Sequence, residues 1–162
     1  MNTSIDPARD LTLNRVIRAP RALVWRAWSD PDRFARWWLP APTAARVDRL
    51  ELRPAGALVT RMSDDGVAFV PHMDAVFLEI EEGRLIVFTN ALDSSLRPAL
   101  PAPVAMTATI TLRDHPEGTE YDVLVRHGSP EDRDRHEALG FFDGWGAVTA
   151  ALAALVEGEQ RA

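Results

Sequence analysis

The sequence predicts an α+β fold in which a curved antiparallel sheet of about six or seven strands wraps a long C-terminal helix, with two short helices after the first strand. Three observations predict it. Two proline-delimited helical segments directly follow an opening apolar strand. The middle of the chain then alternates with period two between glycine- and proline-containing turns. From Pro130 onward the apolar residues return to helical spacing. Strand, helices, strands, then a helix is the order of a sheet with its helices on one side.

The elements follow in turn. Leu11, Leu13, Val16 and Ile17 make the opening strand, closed by Ala19-Pro20. Pro20 sets φ where a helix begins, and Leu23, Val24, Ala27 and Trp28 recur at helical spacing until Ser29-Asp30-Pro31 stops them. Asp30 or Asp32 can cap a second short helix, expected over Asp32 to Trp38, before Pro40 and Pro42 break it. From Val47 the chain alternates, turns at Pro54-Ala55-Gly56, and resumes over Ala57 to Met62. Asp65-Gly66 is a hairpin signal between that strand and a long one from Val67 to Ile80. Glu81-Glu82-Gly83 turns into Arg84 to Asn90. Ala91 to Pro103 has neither period and several prolines, and is expected to be a flexible rim or lid. Val104 to Leu112 alternates again, and His115-Pro116-Glu117-Gly118 turns it into Thr119 to His127.

Ser129 is the N-cap of the last helix, with Pro130 in its first position and Glu131-Asp132 complementing the positive helix end. Running to Val156 it would be roughly 40 Å long at 1.5 Å per residue. Its inward stripe is expected to be Leu139, Phe142, Trp145, Thr149, Leu152 and Val156. Gly140, Gly144 and Gly146 lie within this helix, where each costs about 1 kcal/mol relative to alanine. Close packing against Gly140 and Gly144, or a bend beside Phe141 and Trp145, are the two ways to offset that cost, and packing is the favoured one.

The 162 residues suit a single domain, expected over 11–157, with flexible segments at 1–10 and 158–162. A 46% hydrophobic and 26% charged composition is that of a globular protein. No cysteine is present, which excludes disulfides and thiolate metal sites and fits a cytoplasmic location. The first ten residues carry Asp6, Arg9 and Asp10 with no apolar run, unlike a signal peptide. Ala147 to Val156 is far shorter than the ~20 residues that span a bilayer, so membrane insertion is not expected. The net charge is −6, unsuited to a nucleic-acid binder, which clusters positive charge. His136-Glu137 begins a zinc-protease pattern, but Gly140 stands where the second histidine belongs, so no metal and no cofactor are expected.

Ala19-Pro20-Arg21, Val24-Trp25-Arg26-Ala27-Trp28, Pro31, Trp37-Trp38 and Pro40 together resemble the opening of the START-like superfamily, in its Hsp90-ATPase-activator-homologue branch. Glu79-Ile80 and Arg84 to Thr89 resemble that branch's central hairpin. His136-Glu137, Gly140-Phe141, Gly144-Trp145, Leu152 and Leu155 resemble its terminal helix. The resemblance spans about Leu11 to Val156 and implies a helix-grip fold, with a cavity between sheet and helix that in this superfamily often holds apolar molecules. It implies no shared reaction. An Hsp90-type partner follows only by family analogy, and self-association as a homodimer stays open.

Within such a cavity the expected lining is Trp38, Phe88, Met106, Tyr121, Phe142 and Trp145, with His72 as a polar orienting group. Trp25, Trp28 and Trp37 read as core packing, and Trp38, beside the proline-rich turn, as the residue at the cavity mouth. His72 and Asp74 share a face of the long strand and are the catalytic candidates, should that face be inward; with Phe69, Met73, Ala75 and Phe77 inward instead, His72 would lie in solvent. His136 and Asp143 share a helix face, and His127 reads as a structural hydrogen-bonder to the loop after it. The expected function is binding of a small hydrophobic or aromatic molecule, as carrier or sensor. The alternatives are a cyclase or hydrolase using His72 with Asp74, and an Hsp90-cochaperone-like interaction module.

Overall fold

A computed structural model describes residues 4–162. The elements are β1 (Asp10–Ile17), α1 (Arg21–Ser29), α2 (Pro31–Phe34), β2 (Ala44–Leu50), β3 (Ala57–Ser63), β4 (Val70–Glu81), β5 (Leu85–Thr89), β6 (Thr107–His115), β7 (Gly118–Arg126), α3 (Pro130–Ala138) and α4 (Phe141–Arg161). The strands form one seven-stranded antiparallel sheet in the order β1-β7-β6-β5-β4-β3-β2. Strands β2 to β7 are thus a meander of neighbours, and β1 closes it by pairing with β7, from Asp10 opposite Arg126 to Ile17 opposite Thr119. This is the helix-grip arrangement, with the helices held in the concave face of the sheet.

The core lies in that concavity. Strand β7 shows how the pattern builds it: Thr119, Tyr121, Val123 and Val125 are buried, while the residues between them are only partly so. Their inward side chains meet Leu58, Ala75, Phe77, Ile86, Phe88, Ala108, Ile110 and Leu112 from the sheet. From the helices come Val24, Ala27 and Trp28 of α1 and Leu152, Ala153 and Val156 of α4. Full burial of each Val, Leu, Ile or Phe side chain among these contributes about 1.5–3 kcal/mol.

The C-terminal helix is two helices. Ser129 caps α3 as expected, its Oγ accepting from Asp132 N at 3.1 Å. The chain then breaks at Gly140, whose φ of 96° is left-handed, and α4 leaves at 64° to α3. Gly140 ends one helix and caps the next, since its N–H reaches Glu137 O and its own carbonyl accepts from Gly144 N at 2.8 Å. The bend resets the helical phase. Phe141 is therefore buried, whereas Leu139 and Phe142, expected on the inward stripe, are 61% and 46% exposed. Beyond the bend Thr149, Leu152 and Val156 face inward as expected. The expected close packing on Gly140 and Gly144 is absent, because a Cβ at Gly140, Gly144 or Gly146 would meet nothing within 4 Å. A bend at Gly140 is what its position provides.

Three smaller differences have local causes. Helix α2 ends at Phe34, leaving Trp37 and Trp38 in the turn that follows; Asp30 caps it through Oδ1 to Asp32 N at 2.9 Å. Strand β4 is bulged twice, at His72 between the pairs Met73–Thr60 and Pro71–Arg61, and at Leu78 between Phe77–Phe88 and Glu79–Val87. Regular structure also enters both terminal segments expected to be flexible, with a turn at Pro7–Arg9 and α4 continuing to Arg161.

Candidate functional site

A cavity of about 770 Å³ opens between the sheet, the bend of the C-terminal helices and the segment joining β5 to β6. Its walls come from α1 (Trp28), the turn after α2 (Trp37 to Pro40), the middle of β3, the start of β4, Met106, Tyr121 of β7, His136 of α3, and Gly144, Trp145, Val148 and Thr149 of α4. That volume lies within the range of small-molecule sites. Ala99 to Val104 complete the rim.

One wall is an aromatic block. Trp28 stands 5.0 Å from Trp37 and 5.9 Å from Trp38, ring centre to ring centre, and Phe34 lies 4.5 Å from Trp38. The turn after α2 places Trp37 and Trp38 edge to face on Trp28, a preferred aromatic geometry. Every indole N–H in the block has a protein acceptor. Trp28 Nε1 donates to Tyr121 Oη at 3.1 Å, Trp37 Nε1 to Ala27 O at 3.0 Å, and Trp38 Nε1 to Thr60 Oγ1 at 3.3 Å. Burial pushes the Tyr121 phenol well above its ordinary pKa, so it stays neutral and retains an O–H.

The bulge in β4 decides the question that alternation left open. A bulge sets two consecutive residues against one on the partner strand and re-aims a side chain. Met73 packs on the core with Ala75 and Phe77, yet His72 also reaches the cavity. Its Nδ1 is 2.9 Å from Thr60 Oγ1, so Trp38, Thr60 and His72 form a short polar chain along the wall. Burial lowers the His72 pKa and favours the neutral ring. Asp74 is turned elsewhere: its Oδ1 accepts from Ser94 N at 2.7 Å and ties down the rim. His72 and Asp74, the catalytic candidates, therefore have separate partners and are not hydrogen-bonded to each other.

The rim segment is anchored at its base as well. Asn90 Oδ1 accepts from Met106 N at 2.8 Å and its Nδ2 donates to Val104 O at 3.2 Å. Asp93 Oδ1 accepts from Ser95 N and Arg97 N, folding the tip into a turn. Arg61 and Asp48 make an ion pair of 2.6 Å at the mouth, and Arg61 holds the Asp48 carboxyl below its usual pKa.

Opposite the aromatic block, the helix bend carries a histidine pair. His127 Nδ1 is 2.9 Å from Arg9 O, and His127 Nε2 is 2.8 Å from His136 Nδ1. His136 also stacks edge to face on Phe141 at 5.1 Å. Burial and the neighbouring His127 push the His136 pKa down to about 4, so the ring is neutral at ordinary pH. The partner of His127 is thus the residue ahead of β1 and a helix histidine, not the loop that follows it. His136 pairs with His127 rather than with Asp143, from which the bend at Gly140 separates it.

The family model for Activator of Hsp90 ATPase homolog 1-like protein matches residues 18–157. The chain belongs to this family. Among solved structures, a Nitrosomonas europaea protein is similar at 35% identity and a TM-score of 0.85, over 98% of this chain and 100% of that one. A Chromobacterium violaceum protein is similar at 26% identity and TM-score 0.71, over 92% and 97% of the two chains. A family protein from Aeromonas hydrophila shares the fold at 19% identity and TM-score 0.69, over 93% and 94%. Comparison with curated proteins gives no match.

In this Hsp90-activator-homologue-like domain, the residues singled out in the sequence divide into two groups. Trp38, His72, Asp74, Met106, Tyr121 and Trp145 stand around the cavity. Trp38 is buried in the wall and not at the mouth. Phe88 is fully buried against Trp28, Trp38 and Phe77, one layer behind the cavity surface, because β5 is a central strand. Phe142 points outward, since the bend gives its inward place to Phe141. Thr60, Asn90, His136 and Val148 line the cavity without having been expected there. Of these, His136 had a readable signal: Arg135 and His136 in the turn that runs up to Gly140 mark a helix end, where a side chain meets new neighbours.

Among the described residues, no group of three His, Asp or Glu side chains is placed to hold a metal ion. No single helix there is long and apolar enough to cross a membrane.

Proposed function

We propose that the domain binds a small, largely aromatic molecule in this cavity, as a carrier or sensor and without transforming it. The observation that supports this reading most is the wall itself: Trp28, Trp38, Met106, Tyr121, Trp145 and Val148 converge on one space of about 770 Å³. A mostly apolar cavity with a few placed polar groups is the ordinary form of such a site. Catalysis by a cyclase or hydrolase is the weaker reading, because its candidate pair is divided: His72 Nδ1 meets Thr60 Oγ1, while Asp74 accepts from Ser94 N. An Hsp90-type partner rests on the family description alone, whereas the cavity is a feature of this chain. We place the protein in the cytoplasm on its cysteine-free composition.

Native mass spectrometry of freshly purified protein tests the proposal. The expected spectrum contains a second species, heavier by one small molecule, that collapses to the bare chain mass on denaturation. A bare chain in every preparation, combined with no binding of bicyclic aromatic compounds in calorimetric titration, overturns it.

A further inference from the structure

The histidine pair fixes more than a contact. Arg9 O is a carbonyl and can only accept, so His127 carries its proton on Nδ1. A neutral His127 then has a bare Nε2, which accepts; His136 must therefore donate from its Nδ1. Neutral His136 consequently has its lone pair on Nε2. That nitrogen has no hydrogen-bond partner among the described residues, and the ring lines the cavity. The carbonyl of Arg9 is itself held in register, because it also accepts from His127 N at 3.0 Å as the β1–β7 pairing runs out. A strand edge thus sets the polarity of a group on a helix.

His72, across the cavity, differs in kind. Its partner Thr60 Oγ1 both donates and accepts, so the His72 ring can turn either face of its chemistry to the cavity. One histidine is a fixed acceptor and the other is adaptable.

We infer that the cavity selects molecules bearing a hydrogen-bond donor, an aromatic alcohol of the phenol class, by seating the hydroxyl on His136 Nε2, with His127 as the residue that keeps this nitrogen an acceptor. The inference rests on the ligand-binding reading proposed above and names its chemical class. The aromatic part of the molecule is matched by Trp145 and Tyr121 on the neighbouring elements, and its hydroxyl supplies the proton that the pair cannot supply to itself. An ether or a bare hydrocarbon of the same shape leaves Nε2 desolvated and unpaired, which lowers affinity.

The test uses the full chain at about pH 8, above the ordinary imidazole range. 2-Naphthol and 2-methoxynaphthalene, alike in ring system, are titrated calorimetrically into the natural protein and into His136→Leu. The naphthol is expected to bind about tenfold more tightly than its methyl ether to the natural protein, and equally tightly to His136→Leu. Nitrogen NMR of the imidazoles provides a readout independent of any variant: His136 should carry its proton on Nδ1, and His127→Leu should release it to a mixture of both nitrogens. Equal binding of the two probes to the natural protein overturns this inference and leaves the cavity reading standing, as does a His136 protonated on Nε2. A preference that survives His136→Leu also overturns it. Binding of neither probe overturns this inference and, joined with a bare chain in native mass spectrometry, the cavity reading as well.

Discussion

The two ends of the cavity are built from similar residues and serve opposite purposes. At the α1–α2 end, Trp28, Phe34, Trp37 and Trp38 are 8% exposed or less, and each indole N–H is satisfied within the protein. At the bend between α3 and α4, His136, Trp145 and Val148 are only partly buried, and a ring nitrogen is left without a partner. Buried polar groups are normally paired, and an unpaired one facing a cavity is available to a ligand. In the function proposed above, the closed end carries stability and the open end carries recognition. The difference arises from backbone: a proline-bounded pair of short helices presses its aromatics together, whereas a left-handed glycine splays two helices apart.

That division predicts a large asymmetry in unfolding experiments. Phe34 is fully buried and lies within 5.6 Å of Trp28, Trp37 and Trp38, ring centre to ring centre. Phe34→Ala should cost about 3–5 kcal/mol by denaturant titration, enough to unfold much of a marginally stable domain. The same readout on Phe142→Ala, an exposed aromatic at the other end, should stay within about 1 kcal/mol. Comparable losses for the two would erase the distinction between the ends.

Acid should act on the open end first. His136 has a folded pKa of about 4, below its ordinary 6.5, so between these values the unfolded chain binds a proton that the folded one does not. Stability from this group is complete above about pH 6.5 and is lost as pH falls toward 4, by about 2 kcal/mol once partial exposure is allowed for. His72, lowered by burial, has the same sign. Asp65, held near 2 by the backbone N–H groups of Val67 and Ala68 and by Ser63, loses its contribution only at lower pH. Chemical denaturation at pH 7 and pH 4.5 should therefore show a clear loss in the natural protein and a smaller one in His136→Leu. An equal loss in both would mean that the pair is not the acid-sensitive element.

The sequence made the sheet, the capped start of α3 and the aromatic wall legible, because those depend on local alternation, on Ser129-Pro130 and on tryptophan spacing. It did not make the open end legible. The contact of His127 with His136 requires the β1–β7 pairing, the cap at Ser129 and the end of α3 at once, and no single period encodes all three. His72 was ambiguous for a different reason: strict alternation assigns it and Met73 to opposite faces, and the bulge that brings both toward the cavity leaves no mark in composition. Phe142 was misplaced by the same error that hid the bend, since reading Gly140 as an interior helix position gives Phe142 the inward place that Phe141 takes, although Thr149, Leu152 and Val156 farther along still face inward.

The smallest predicted effects bear on that bend most directly, because three glycines in one segment should respond with different signs. None of them has a neighbour within 4 Å of where a Cβ would go, so packing is the same for all and backbone conformation alone decides. Gly140 has φ of 96°, a region in which an L side chain is strained, and Gly140→Ala should destabilise by about 1–2 kcal/mol. Gly146 is an ordinary interior position of α4, where glycine is the poorer helix former; Gly146→Ala should stabilise by about 0.5–1 kcal/mol. Gly144→Ala should stabilise comparably but also add a methyl group to the cavity wall, so its effect on binding separates it from Gly146→Ala. Thermal or denaturant unfolding of the three variants reads the signs. Were Gly140→Ala to stabilise as well, the segment would be one continuous helix, and the open end with its unpartnered nitrogen would lose its structural cause.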